Sequence, residues 1–162
     1  MTIADDIEDR LFGPGVGSDR RLGAMLQELR TVADPAIFWR VFQETWSSCD
    51  DTSKYRDELV AELYSRQPMV QFLRAGNRLF FDALSDEFIA YRGCDRSKQQ
   101  GVSWTTNSQV AEKFALGHRG ISVPDPVVVC VAVRKSDILA VDTARGEDEI
   151  LVDVVGAKLL PA

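Results

Sequence analysis

The spacing of apolar residues changes near residue 84, and this change constrains the fold more than any other feature of the sequence. Before it, apolar side chains recur every three or four residues, which is the period of one helix face. That period holds in segments 19–33, 34–46 and 52–67. After it, short apolar runs alternate with glycine, proline and polar residues, and the run at 127–133 is typical of a buried strand. Helices followed by strands predict an α+β protein, with a helical region at 1–84 and a β-rich region at 85–162.

Start signals support the helices of the first region. Asp34 is a good N-cap, and Pro35 suits the first position of the helix that follows. The apolar face of that helix holds Phe38, Phe42 and Trp46. Trp39 lies off this face, which leaves two interpretations. It is either a core residue of a helical layer or an exposed aromatic side chain that contacts a partner protein.

Two other parts of the helical region carry weaker patterns. Residues 1–18 are rich in glycine and proline at positions 13–17, which predicts a loose lead-in without regular structure. Pro68 is expected to open a further helix. Gly76 interrupts that helix, and residues 77–84 continue it.

The β-rich region carries several strand patterns and one helix pattern. Strands are predicted at 87–93, 102–106, 127–133, 136–142, 149–155 and 157–161. Between the second and third of these, residues 107–117 predict a helix. Asn107 or Ser108 would cap its start, and Gly117 would end it.

Three residues on or just after this helix are candidates for a site, and each has an ordinary structural explanation. Phe114 is spaced with the apolar face, which predicts a core position. His118 is the only histidine of the chain, and no serine or cysteine stands beside it as a nucleophile, so we expect a loop or capping role. Arg119 is expected at the surface, where most arginines lie.

The composition excludes some classes of function. The net charge is −6, so a nucleic acid is not an expected partner. Cys49, Cys94 and Cys130 have neither metal-ligand nor disulfide-framework spacing, so we expect no metal site. The N-terminus lacks the apolar stretch of a signal peptide, and no window resembles a membrane span. We therefore expect no membrane partner and a cytoplasmic location.

Three consecutive acids precede an apolar strand pattern and raise the question of a site. Residues two apart on a strand share a face, which predicts Glu147 and Glu149 on one face and Asp148 on the other. Paired carboxylates suit a reaction that develops positive charge or removes a proton from a nucleophile. The alternative is a solvated acidic turn.

Two further segments offer groups that could face such acids. Arg92 ends a strand pattern and precedes Gly93, and its planar guanidinium could hold a phosphate. Ser103 and Thr105 are two residues apart, so their hydroxyls share a strand face and could orient a carboxylate. Taken by itself, Arg92 is more typical of a surface or salt-bridge arginine, and the hydroxyls of Ser103 and Thr105 on a strand need no function.

The ordered set resembles a known family. Arginine on a first strand, Ser-x-Thr before a helix and Glu-x-Glu before an apolar strand resemble the R-S-E class of mono-ADP-ribosyltransferases. This is the cholera-toxin-like, arginine-specific clan, which includes bacterial toxins and phage-encoded enzymes. The resemblance covers roughly 87–161 and leaves out the helical region. It implies an NAD-binding core of two small packed β-sheets at 85–162, with NAD in the cleft between them, and a bacterial host cytoplasm if the protein is phage-encoded.

The resemblance also implies roles in NAD binding. Arg92 would hold the phosphates, and Gly93 would offer its backbone to the nicotinamide carboxamide. Ser103 would hydrogen-bond the catalytic glutamate, and Thr105 matches the third position of the Ser-Thr-Ser motif. Trp104 departs from the small middle residue of that motif, so it either packs beneath the site or belongs to the core.

Two glutamates complete the implied site. Glu149 matches the catalytic glutamate, which also contacts NAD, and Glu147 matches the acid associated with arginine acceptors. The implied function is transfer of ADP-ribose from NAD, as substrate and without a metal, to a protein side chain that is most often arginine. Two alternatives stay open: an NAD glycohydrolase, and an inactive relative that acts as a protein-binding module.

Overall fold

Helices occupy the first part of the chain and strands most of the rest, which confirms the α+β class. A computed structural model describes residues 1–117 and 120–162. His118 and Arg119 lie outside the described residues, so the expectations for them stay predictions. The chain forms two compact units, Met1–Arg74 and Ala75–Ala162. The division falls earlier than the predicted boundary near residue 84, because the last helix of the helical region belongs to the same unit as the sheet.

The first unit holds four α-helices and three 3₁₀ turns. The helices are α1 (Ile3–Leu11), α2 (Ser18–Leu29), α3 (Pro35–Thr45) and α4 (Arg56–Ser65). The 3₁₀ turns are Trp46–Ser48, Thr52–Tyr55 and Val70–Phe72. Helix α3 begins as predicted, since Asp34 Oδ1 accepts a hydrogen bond from Ala36 N at 2.8 Å.

Helix α1 shows that the prediction of a loose lead-in at 1–18 is wrong. Thr2 Oγ1 accepts a hydrogen bond from Asp5 N at 3.2 Å, and Asp5 Oδ2 accepts one from Thr2 N at 2.6 Å. This reciprocal capping box starts the helix. These bonds, together with the ion pair to Arg40, lower the pKa of Asp5 to about 2. The glycines that suggested a loop follow the helix and separate it from α2.

The predicted helix at Pro68 is also wrong, because a glutamine side chain binds the backbone of this segment. Only the 3₁₀ turn Val70–Phe72 forms there. Gln43 is buried, and its Nε2 donates to Phe72 O at 3.0 Å while its Oε1 accepts from Arg74 N at 3.0 Å. The backbone groups that a helix would have paired are satisfied in this way.

Trp39 is buried, so the interpretation as an exposed contact is wrong. Its ring is 1% exposed and meets the edges of Phe38 and Phe42, with centroid distances of 5.1 and 5.7 Å. Its Nε1 donates to Arg66 O at 3.3 Å. The guanidinium of Arg66 lies 4.6 Å over the Phe38 ring and donates to Val32 O at 2.6 Å. Tertiary contacts therefore bury the side of helix α3 that carries Trp39, which lies outside the apolar face of that helix.

The described residues of the second unit form two α-helices and six strands. The helices are α5 (Ala75–Ala83) and α6 (Ser108–Ala115), and 3₁₀ turns lie at Arg96–Lys98 and Lys135–Asp137. The strands are β1 (Glu87–Asp95), β2 (Ser103–Thr105), β3 (Pro126–Arg134), β4 (Ile138–Asp142), β5 (Glu149–Val152) and β6 (Leu160–Pro161). Each predicted strand is present, although several are shorter than their sequence patterns.

All six strands belong to one hydrogen-bonded antiparallel sheet, with the order β4-β5-β2-β1-β3-β6. The expectation of two separate sheets is therefore wrong for the strand pairing. A single sheet forms because β1 and β2 pair with each other, at Tyr91 and Thr105. This position joins the group β4-β5-β2 to the group β1-β3-β6.

Helix α6 packs directly on the backbone of β1 at Gly93. A Cβ added there would overlap Ala111 O and lie 2.7 Å from Ala115 N. Glycine is therefore required by the helix–strand contact itself. Asn107 starts the helix, since its Oδ1 accepts from Gln109 N at 3.0 Å, and Gly117 follows it with a φ of +104°.

Within residues 1–117 and 120–162, none of the helices has the length and apolar character needed to cross a bilayer.

Candidate functional site

One pocket of the second unit is lined by all six residues to which the family resemblance assigns a role in NAD binding or catalysis. These residues are Arg92, Gly93, Ser103, Thr105, Glu147 and Glu149, and the remaining lining residues are Tyr91, Trp104, Val110, Ala111 and Phe114. The empty space among these residues is about 370 Å³, a figure that includes open solvent at the mouth of the pocket. The pocket lies where β1, β2 and β5 come together, at the position that joins the two groups of strands.

Glu149 is fixed from two directions. It is the first residue of β5 and pairs with Thr105 on β2 and with Asp142 on β4. The hydroxyl of Ser103 donates a hydrogen bond to Glu149 Oε2. A carboxylate held by a strand backbone and by a hydroxyl has few alternative orientations, and this one is half-buried at the pocket wall.

Glu147 reaches the same pocket by a route that the sequence does not predict. Strand β5 begins at Glu149, so strand alternation cannot place Glu147 beside it, and that part of the prediction is wrong. Asp148 has a φ of +46°, in the left-handed region, and turns the chain. Two hydrogen bonds hold this turn. Thr105 Oγ1, on β2, donates to Glu147 O at 2.7 Å, and Thr106 N, just after β2, donates to Asp148 O at 3.2 Å.

Thr105 therefore serves the site through the backbone of the acidic turn. Its hydroxyl donates to the Glu147 carbonyl and accepts from Asn107 N at 3.0 Å, next to the start of α6. The side chain is 6% exposed. One hydroxyl thus joins the acidic turn, strand β2 and the start of helix α6.

Arg92 is held by the loop between β1 and β2. Its Nε donates to Lys98 O at 3.0 Å, and its Nη1 donates to Ser103 O at 2.8 Å. A Cβ added at Gly101 would overlap Arg92 Nη2 and lie 2.9 Å from Nε, so this glycine leaves the space that the guanidinium occupies. Gly101 is a site residue that was not predicted, although a glycine just before the Ser-x-Thr pattern is a usable signal.

Trp104 supports this loop from beneath. It is 1% exposed, and its Nε1 donates to Gly101 O at 2.8 Å. Packing beneath the loop therefore explains why a bulky residue, Trp104, stands in the middle of the Ser-x-Thr segment. It fixes the glycine against which Arg92 lies.

An apolar wall faces the charged groups. Tyr91, Val110 and Phe114 line it, and all three side chains are half-buried. The prediction that Phe114 belongs to the core is therefore wrong, because α6 lies at the edge of the pocket and presents the ring to it. A pocket with a cation, two carboxylates and an aromatic wall suits a ligand with anionic groups and a flat apolar ring.

The remaining reactive groups do not extend this site. Burial raises the pKa of the Cys94 thiol, and the nearby Arg92 opposes this only in part, so the thiol is protonated and weakly nucleophilic near neutral pH. Within the described ranges 1–117 and 120–162, no group of three or more His, Cys, Asp or Glu side chains could hold a metal ion.

Comparison with known proteins adds no further constraint. No family model matches the chain, and neither a curated protein nor a solved structure matches it at a significant level.

Proposed function

We propose that the protein is a mono-ADP-ribosyltransferase that transfers ADP-ribose from NAD to a protein side chain, with arginine as the acceptor, and releases nicotinamide. One observation carries the proposal. The Ser103 hydroxyl holds Glu149 in a pocket that also contains Arg92 and Glu147, although these residues are far apart in the sequence. The order of these residues along the chain adds support through the resemblance described above.

The pocket groups fit the parts of NAD. The Arg92 guanidinium is oriented by two backbone carbonyls, and its planar positive charge suits the diphosphate. The aromatic wall at Tyr91 and Phe114 suits the flat nicotinamide ring. The Glu149 carboxylate suits the hydroxyls of the nicotinamide ribose.

The reaction needs a negative charge beside the ribose carbon from which nicotinamide departs. The bond between the ribose carbon and the nicotinamide nitrogen breaks, and nicotinamide leaves with the bonding electrons. Positive charge then develops on the ribose, as it does in glycoside hydrolysis. A fixed carboxylate beside that carbon stabilises the transition state more than the ground state, and Glu149 is the residue held for this purpose.

A second carboxylate has a separate task. The lone pair of a guanidine nitrogen forms the new bond to the ribose carbon, and that nitrogen must lose a proton. Glu147 lines the same pocket from the acidic turn instead of from the strand, so it can accept the proton without displacing Glu149. We therefore assign Glu147 to the acceptor and Glu149 to the ribose.

The direct test is to incubate the purified protein with labelled NAD, with and without a small guanidine such as agmatine. We expect ADP-ribosylated guanidine and released nicotinamide in equal amounts. Free ADP-ribose at the same rate with and without guanidine would instead identify an NAD glycohydrolase. No product, together with no rise in unfolding temperature at saturating NAD, would exclude both activities and leave a binding module.

Gly101→Ala is expected to weaken NAD binding, because the added methyl group would displace the Arg92 guanidinium. Loss of one hydrogen bond from a charged group corresponds to about a tenfold rise in Kd. Isothermal titration of NAD into the variant measures the effect.

Gly156→Ala is the matched control for this variant. A Cβ at Gly156 meets nothing within 4 Å, but its φ of +82° strains an alanine, so the change destabilises the fold without reaching Arg92. We expect its Kd for NAD to stay at the wild-type value. If Gly101→Ala also binds NAD with the wild-type Kd, the position of the Arg92 guanidinium does not contribute to NAD binding.

A further inference from the structure

Helix α5 buries an amide where an amphipathic helix usually buries an apolar side chain. Among the described residues of α5, Asn77 is the buried one, and its side chain is 5% exposed. A buried amide is costly unless its hydrogen bonds are made. The partners of Asn77 therefore indicate why this position is polar.

Asn77 Oδ1 binds one residue of the sheet twice. It accepts a hydrogen bond from Thr143 N at 2.9 Å and one from Thr143 Oγ1 at 2.8 Å. The two residues are 66 positions apart in the sequence. Gly76, next to Asn77, lies at the same contact, where a Cβ would be at an ordinary van der Waals distance of 3.4 Å from Thr143 Oγ1.

Thr143 is the first residue after β4, and segment 143–148 leads from it to Glu149 at the start of β5. Thr143 O accepts from Gly146 N at 3.0 Å, and Asp142 Oδ1 accepts from Ala144 N at 2.9 Å. These bonds form a tight turn whose start is attached to α5. The other end of the segment carries Glu147.

The two ends of this segment are held by different elements. Thr105 Oγ1 and Thr106 N bind the carbonyls of Glu147 and Asp148 at the far end. Asn77 binds Thr143 at the near end. Glu149 is held separately by strand pairing and by Ser103, so loss of the Asn77 bonds would loosen the near end of the segment that carries Glu147 without releasing Glu149.

We propose that Asn77 is a positioning residue for Glu147, which acts through Thr143 and sets how well the site uses a guanidine acceptor in place of water. The catalytic part of this proposal, the choice between guanidine and water, rests on the proposed function. The structural part, that Asn77 fixes segment 143–148, is independent of any activity.

Hydrogen exchange tests the structural part. In Asn77→Ala, we expect the amide of Thr143 and the peptide covering 143–148 to exchange about tenfold faster or more, because the local bonds are lost. Peptides from β1 and β3 serve as the internal reference and should exchange at the wild-type rate. Unchanged exchange in 143–148 would overturn the proposal, whether or not the protein is an enzyme.

The catalytic part is tested by the ratio of two rates. In Asn77→Ala, transfer to agmatine should fall on the order of tenfold, the scale expected when a reacting group is displaced by a fraction of an ångström. Hydrolysis of NAD by water should stay within about twofold, because Ser103 still holds Glu149. Equal losses of both rates would show a merely structural role and overturn the proposal.

Two variants of Thr143 keep the test decisive if Asn77→Ala does not fold. Thr143→Val removes the hydroxyl bond and keeps the amide bond, so it should lower the transfer-to-hydrolysis ratio by less than Asn77→Ala. Thr143→Ser keeps both donors and should restore the wild-type ratio. A wild-type ratio in Thr143→Val would overturn the proposal. A wild-type protein without any activity, but with faster exchange in the variants, would refute the proposed function and leave the positioning of the segment intact.

Discussion

Glu149→Gln is expected to abolish both ADP-ribose transfer and nicotinamide release, while the unfolding temperature stays near that of the wild type. The amide has the shape of the carboxylate and can still accept the hydrogen bond from Ser103. It lacks the negative charge that stabilises the cationic ribose. Loss of one preorganised electrostatic group costs about a hundredfold to a thousandfold in rate.

The measurement is nicotinamide release by the purified variant, with circular dichroism and thermal unfolding as the check on folding. Asp148→Asn is the matched control, because this neighbouring acid is absent from the pocket lining and asparagine tolerates its φ of +46°. We expect the control to retain activity within about twofold, because the substitution keeps the backbone turn and removes a charge that does not line the pocket. Substantial release of nicotinamide by Glu149→Gln would remove Glu149 from its assigned role.

Glu147→Gln is expected to separate the two steps of the reaction. Transfer to a guanidine should fall by about a hundredfold or more, from the lower end of the range for loss of a general base upward, because glutamine cannot accept the acceptor's proton. Slow hydrolysis of NAD should fall much less, because Glu149 and Arg92 are unchanged. The variant should therefore release nicotinamide and produce mainly free ADP-ribose.

The two products are measured in one assay, with labelled NAD and saturating agmatine, followed by separation of ADP-ribose from ADP-ribosylagmatine. The Asp148→Asn protein again provides the control. Losses of equal size in transfer and hydrolysis would mean that Glu147 has no acceptor-specific task.

The sequence predicts elements well where a local pattern determines them. Helix α3 follows from Asp34, Pro35 and the apolar face behind them, and strand β3 follows from an unbroken apolar run. Helix α1 was missed although its capping box, Thr2 with Asp5, is local and readable. That error came from giving weight to the glycines that follow the helix.

Other errors in the fold have no local signal. Residues 68–75 carry a helix pattern, yet the distant side chain of Gln43 takes their backbone groups. Trp39 lies off the apolar face of its own helix, yet it is buried where it packs on Phe38 and Phe42 and donates to Arg66 O. Both outcomes depend on contacts made only in the folded unit, so periodicity could not reveal them.

In the site, too, residues selected by a local pattern were predicted, and features that depend on tertiary contacts were not. The order of Arg92, the Ser-x-Thr segment and the Glu-x-Glu segment was enough to select residues that line one pocket. The turn at Asp148, which brings Glu147 into the pocket from outside the strand, was not predicted. The attachment of that turn to Asn77 joins residues on different elements and has no sequence signature.

The most direct measurement is a crystal structure of Glu149→Gln grown with NAD, since this variant should bind the dinucleotide without consuming it. We expect the nicotinamide ribose against residue 149, the diphosphate on Arg92 and the nicotinamide ring on the wall formed by Tyr91 and Phe114. An empty pocket at saturating NAD, or NAD bound at a surface that excludes Arg92 and residue 149, would contradict it.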